Sequence, residues 1–201
     1  MRANRTPSER VPRPSLVAAG AALVLALATA AAPAAAQALI TQEEALAAAF
    51  PAPAEVARET AFLTDDQLGR VRRLAGPDVA VDQGVVSFYV ARRGGRPAGV
   101  AYFDAHRVRT KAEVIMVVVT PDGRVDRVDV LKFMEPREYL APAGWIDQFD
   151  GRPLDDELSM KGEILNISGA TLTARAMTRA VRRVLALHAV IDPFGAGGGR
   201  P

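Results

Sequence analysis

Between positions 168 and 173 the chain reads Ser-Gly-Ala-Thr-Leu-Thr, three hydroxyls among small residues immediately ahead of a segment with apolar periodicity. From Ala174 to Ala189, Met177, Ala180, Val181, Val184, Leu185 and His188 recur at helical spacing, with Arg175, Arg179, Arg182 and Arg183 largely on the opposite side. This spacing predicts an amphipathic helix with Thr173 at or near its N-cap. A helix start leaves backbone N–H groups unpaired and carries the positive end of the dipole, so Ile167–Thr173 suits an anion such as phosphate, with Gly169 allowing close approach of the backbone. Spacing alone supports an ordinary capping Thr equally well. On chemistry alone Ser168, Thr171 and Thr178 rival Thr173 as a phosphate acceptor, although a Thr inside the helix, as Thr178 is, tends to turn its hydroxyl back to a carbonyl. A Thr hydroxyl needs a base or a metal to become a nucleophile, and no neighbouring residue supplies one.

Ser168-Gly169-Ala170-Thr171-Leu172-Thr173 resembles the Ser/Thr-Gly-Ala-Thr-x-Ser/Thr signature of the small FMN-binding domain. That domain occurs in flavin-carrying subunits of the sodium-translocating NADH:quinone reductase and the Rnf electron-transport complex. The similarity runs from about Ser87 to Ile191 and is specific in the hexapeptide. Upstream, Gly123 to Leu131 followed by Glu135-Pro136 is similar to the family's Gly-x-hydrophobic strand and Glu-Thr-Pro-Gly loop. Here the loop Thr is absent, Arg137 replaces the Gly, and Leu165 stands where the family often has Asp.

The resemblance implies FMN joined by a phosphoester bond to Thr173, with Ser168, Gly169, Ala170, Thr171 and Leu172 lining its phosphate and ribityl chain. It implies that a separate Mg²⁺-dependent flavin transferase makes the bond with FAD as donor. The protein is then an electron carrier between membrane or periplasmic redox proteins, with no catalytic residue or metal of its own. Lys161 is a candidate to offset the phosphate charge, Glu135 to approach the flavin ring, and Phe133, Tyr139 and Trp145 to stack on it. Two other readings stay open: a small flavin reductase whose substrate binds in the Lys132–Leu165 loop, and a flavin-free secreted binding module of the same fold.

The elements that must position this site begin after residue 36. Arg2, Arg5, Arg10 and Arg13, the apolar stretch Leu16–Ala32 and Ala34-Ala35-Ala36 form a cleavable secretory signal, which predicts a periplasmic protein. The alternative is an uncleaved membrane anchor, but the apolar stretch is cut by Pro33 and falls short of the ~20 residues that span a bilayer. With no cysteine there are no disulfides and no thiolate-held iron–sulfur clusters. Without the leader the chain carries 21 Lys and Arg against 22 Asp and Glu, a net charge of −1, which removes the case for a nucleic-acid partner.

Residues 37–84 are expected to be a helical segment. Thr41-Gln42-Glu43-Glu44 and Thr64-Asp65-Asp66-Gln67 both have capping-box spacing, and Pro51 stops the first helix. The FMN-binding domain is expected over 85–192, with a disordered tail over 193–201. Val85–Ala91 and Pro97–Asp104 flank a glycine turn, and Val114–Thr120 and Arg124–Leu131 flank Pro121-Asp122-Gly123, giving two hairpins. The run Val114–Val119 is apolar on both faces, so it is expected to be central with helices over one side, and the imperfect alternation after Arg124 suggests a bulge. The fold class is therefore α+β, an antiparallel sheet of two hairpins with helices packed against it and a C-terminal helix following the flavin loop. His106 lacks the partners that a metal site needs.

Overall fold

The computed structural model describes residues 39–195; the expected secretory signal over 1–36 and residues 196–201 of the expected tail lie outside them. The glycine turn at 94–95 joins β2 (Val85–Arg93) to β3 (Arg96–Arg107), and Pro121-Asp122-Gly123 joins β4 (Ala112–Val119) to β5 (Val125–Phe133). The two hairpins are continuous, because β3 also pairs antiparallel with β4. β5 slips register twice against β4, the irregularity that its broken alternation predicts.

Residues 37–84 are not purely helical. Between α1 (Gln42–Ala49) and α2 (Asp65–Ala75) lies β1 (Glu55–Phe62), which pairs with β2 and completes a five-stranded meander in the order β1-β2-β3-β4-β5. β1 is an edge strand whose side chains, Val56 and Phe62 included, are mostly exposed, so its place is set by backbone pairing rather than by burial. Both helices begin with the expected capping boxes, Thr41 with Glu44 and Thr64 with Gln67.

Helices cover both faces of the sheet, not one. Ile115, Val117 and Val119 of β4 join Tyr102, Phe88 and Val128 against Met177, Val181 and Val184 of the long C-terminal helix α4 (Thr171–Ile191). Met116 and Val118 point the other way, with Ala91, Ala101 and Leu131, and are covered by Ala45 in the middle of α1 and Phe50 at its C-terminal end. Each such side chain contributes roughly 1.5–3 kcal/mol on burial, so an apolar second face needs a cover of its own. α4 is sandwiched in turn: Ala186, Leu187 and Val190 pack on Leu68, Val71 and Ala75 of α2. Beyond α4, Phe194 packs against the main core with Arg92 over its ring. The irregular stretch 134–165 contributes Ile146 of α3 (Ala143–Ile146) and Phe149, Leu158 and Ile164 to that core. Among the described residues no helix is long and apolar enough to cross a membrane.

Gly99 shows how closely α1 sits. Its φ is +155°, and a Cβ there would lie 3.1 Å from a Phe50 ring carbon and 3.2 Å from the Val119 carbonyl oxygen. Gly99→Ala is expected to cost about 1–3 kcal/mol, lowering the melting temperature by several degrees in a thermal melt. An unchanged midpoint would contradict the close packing of Phe50 on β3.

Candidate functional site

α4 opens without a side-chain cap. Its N-cap is Ala170, which has no acceptor to offer, so the N–H groups of the first turn face outward unpaired, in contrast to the closed starts of α1 and α2. The turn before it is fixed by the Ala170 N–H bonding the Ile167 carbonyl at 3.0 Å, with Gly169 at φ +81°, a conformation that glycine adopts without strain. Thr173 is consequently the third residue of the helix rather than its cap.

In front of this helix start is a cavity of about 210 Å³ lined by Gly169, Ala170, Thr171, Leu172 and Thr173 on one side, and by Val108, Arg109, Glu135 and Tyr139 on the other. Five of the six residues of the hexapeptide therefore converge; Ser168 is exposed and outside the lining. Thr171 accepts a 3.0 Å hydrogen bond from Asn166 Nδ2. Thr178 donates to the Ala174 carbonyl at 2.7 Å, the back-bonding expected of it.

Thr173 itself departs from expectation. A hydroxyl that accepts the phosphoester implied by the resemblance should be exposed, yet Thr173 is 1% exposed and its Oγ1 donates to the Tyr139 carbonyl at 2.7 Å. Because α4 starts three residues earlier than its apolar pattern suggests, position 173 turns inward under the short 3₁₀ turn Arg137–Tyr139.

The far wall of the cavity is the turn joining β3 to β4. Glu135 Oε1 accepts from the Thr110 and Lys111 N–H groups at 2.6 and 2.7 Å and from Thr110 Oγ1 at 3.2 Å. These backbone donors hold the Glu135 carboxyl below the usual carboxylate range. Glu135 thus fixes the turn while lining the cavity. Arg109, at the tip, is exposed, and its guanidinium has no hydrogen bond or ion pair among the described residues.

Below the turn a buried charged network ties β3 to β4 and α4. Arg183 forms two bonds to Asp104, at 2.8 and 2.7 Å, and His106 sits between Asp104 at 2.9 Å and Glu113 at 2.9 Å. His106 and Glu113 are opposite each other in the β3–β4 register, and Glu113 is fully buried with Oε1 lacking a partner. Burial works against a charged His106, but hydrogen bonds to Asp104 and Glu113, and their charges, push it up to about 9. Burial would raise Asp104 as well; its hydrogen bonds to His106 and Arg183, with their charges, hold it low instead. His188, the other histidine, is buried on α4 against Tyr102, its Nδ1 3.1 Å from the phenol oxygen, and burial pushes it down to about 4.

Of the aromatic candidates only Tyr139 lines the cavity. Phe133 is buried in β5, and Trp145 donates Nε1 to the Leu165 carbonyl at 2.6 Å and packs edge-on against Phe149. Lys161 lies in a different cleft, with Arg175 and Arg179. Val108 and Arg109, which complete the cavity, escape sequence reasoning because a turn more than fifty residues upstream of the hexapeptide reaches it only through the sheet.

The FMN-binding domain model matches residues 111–186, a span that contains the whole of β4 and β5 and most of α4. The chain is also similar to a protein of Cereibacter sphaeroides that is one subunit of an ion-translocating oxidoreductase complex, at 30% identity over 180 residues, covering 83% of this chain and 77% of that protein. With the open helix start, its hexapeptide and the Glu135 wall all inside the matched span, the chain belongs to the FMN-binding domain family.

Proposed function

We propose that this chain is an exported electron carrier that holds FMN covalently through Thr173 and exchanges electrons with membrane or periplasmic redox proteins. The uncapped start of α4, opening into a cavity that Thr173 lines, is the observation that carries the proposal. When bound, FMN supplies reversible electron transfer through its isoalloxazine ring. The N–H groups of Thr171, Leu172 and Thr173 would hold its phosphate, and Arg109, on the opposite wall, would supply a cation to it. The cavity, at about 210 Å³, is smaller than the ~300–1,000 Å³ that encloses a drug-sized ligand, so its lining residues would hold the phosphate end of FMN rather than enclose the whole cofactor. The basic, apolar and small-residue order of residues 1–36 supports export. The similarity to a subunit of an ion-translocating oxidoreductase complex supports redox partners at a membrane.

Attachment is the work of a flavin transferase with Mg²⁺, which moves the FMN moiety of FAD to the Thr173 oxygen while AMP leaves with the hydroxyl proton. The 2.7 Å bond to the Tyr139 carbonyl must break first, so residues 137–140 lift, or close only after modification. Peptide mass spectrometry on chain exported with a transferase is expected to find one FMN on the Thr173 peptide. An unmodified peptide from cells whose transferase modifies another substrate would overturn the covalent linkage.

Arg109 gives a separate prediction. In protein lacking the Thr173 hydroxyl, Arg109→Ala is expected to weaken FMN binding by about tenfold, the scale of one charge-assisted hydrogen bond. Riboflavin binding should be unchanged, since riboflavin has no phosphate. Titration by flavin fluorescence checks both, and an equal loss for the two flavins would remove Arg109 from the phosphate.

A further inference from the structure

Lys161, Arg175 and Arg179 meet Arg182 around a cleft of about 510 Å³, bounded by the end of α2, residues 156–161 and the outer face of α4. Arg182 is committed to the fold, donating Nε to the Ala75 carbonyl at 2.8 Å and Nη1 to the Leu158 carbonyl at 3.1 Å. The other three cations have no hydrogen bond or ion pair among the described residues, although Asp78 and Asp156 border the same cleft. Lys161 and Arg175 are exposed and Arg179 is half-buried.

This stripe continues from the FMN cavity. Leu172, Arg175 and Arg179 fall on one face of α4, and a rise of about 1.5 Å per residue places Arg175 about 5 Å and Arg179 about 10 Å along the axis from Leu172. Leu172 is a cavity wall and 44% exposed. Leu165, 72% exposed, stands beside the helix start, where Asn166 is tied to Thr171. Like charges one helical turn apart repel, so Arg175 and Arg179 do nothing for the isolated fold. Without its leader the chain has no net positive charge to explain them either.

Resting on the electron-carrier reading, we propose that this cationic stripe with its apolar rim is the docking surface for a redox partner that presents a carboxylate-rich protein face. The cations would steer that face onto the flavin end of α4, and Leu165 and Leu172 would seal the contact around it. The interspersed Asp78 and Asp156, and the concave shape, fit a folded partner with mixed charge better than the uniformly anionic plane of a lipid headgroup layer.

The test is a Lys161→Glu, Arg175→Glu, Arg179→Glu variant, with Lys161→Gln, Arg175→Gln as a milder pair should the triple fail to fold. Polyglutamate is expected to bind the wild-type chain at low ionic strength, loaded or free of FMN, with an affinity that falls as salt rises. The triple variant should lose about tenfold or more, and the pair a smaller part. Wild type that ignores polyglutamate, a variant that binds it equally, or wild type that binds only phosphatidylglycerol vesicles would each overturn the proposal. In FMN-loaded protein at low ionic strength, iodide should quench flavin fluorescence several-fold more strongly in wild type than in the triple variant. Equal iodide quenching in the two would detach the stripe from the flavin. Failure to load FMN would instead sink the electron-carrier reading while leaving the polyglutamate result to stand or fall by itself.

Discussion

Thr173→Ala protein exported together with a flavin transferase is expected to carry no covalent flavin, and Thr173→Ser to carry the full adduct. The effect is all or none because the substitution removes the bonding oxygen, whereas its cost to the fold is small. Alanine forfeits one hydrogen bond, to the Tyr139 carbonyl, about 1 kcal/mol, and leaves the backbone of α4 untouched. Intact mass and in-gel flavin fluorescence read the adduct, and a thermal melt confirms that the variant folds. An adduct surviving in Thr173→Ala would move the acceptor to Thr171, which lines the same cavity. Burial of the hydroxyl adds a kinetic expectation: purified, folded chain should be modified more slowly than chain offered to the transferase during refolding. Equal rates would mean that the Arg137–Tyr139 turn is no barrier.

The strands and helices that periodicity announces are those whose burial is one-sided or complete. α2 shows Leu68, Val71 and Ala75 at helical spacing, and β4 is an unbroken apolar run, so both are legible. β1 is not, because an edge strand with almost no buried face leaves no alternation to read. The placement of α1 on the far face was implicit in the two-sided apolarity of β4, but only the packing of Met116 and Val118 with Ala101 and Leu131 shows what it covers. At the site, the hexapeptide and Glu135 could be read locally. The burial of Thr173 could not, since it depends on a turn 34 residues away. Nor could Arg109, brought to the cavity by the β3–β4 turn. The role of His106 does not depend on a second histidine. Its signal lies in Asp104 two residues before it and in the hairpin pairing that puts Glu113 opposite.

That network is where the largest loss of stability is expected. His106→Leu leaves the fully buried Glu113 carboxylate without its partner, and breaking a buried pair from one side costs about 3–5 kcal/mol. For a chain of this size that is roughly 10 °C or more in melting temperature. Replacing both partners with apolar residues removes the orphaned charge, so His106→Leu with Glu113→Leu should recover most of the loss. A double variant no more stable than the single one would show that the pair is not coupled.

The pH dependence has a definite sign. His106 is pushed up to about 9 in the folded chain from about 6.5 when unfolded, so its contribution is complete below about pH 6.5 and fades as pH rises through 9. A shift of that size corresponds to about 3 kcal/mol. His188, pushed down to about 4, acts on the other limb: the unfolded chain takes up its proton first, and stability falls between about pH 6.5 and 4. Asp104, held low, loses its contribution as pH drops further. Urea titrations across pH should therefore give a dome centred near neutrality. His106→Leu should flatten its alkaline side, while the fall between about pH 6.5 and 4 that His188 causes remains. Because His106 and Glu113 sit at the base of the turn that carries Arg109, the same variant should also hold FMN less tightly in Thr173→Ala protein. A dome whose alkaline limb is unchanged would mean that Asp104 and Glu113 do not hold His106 charged.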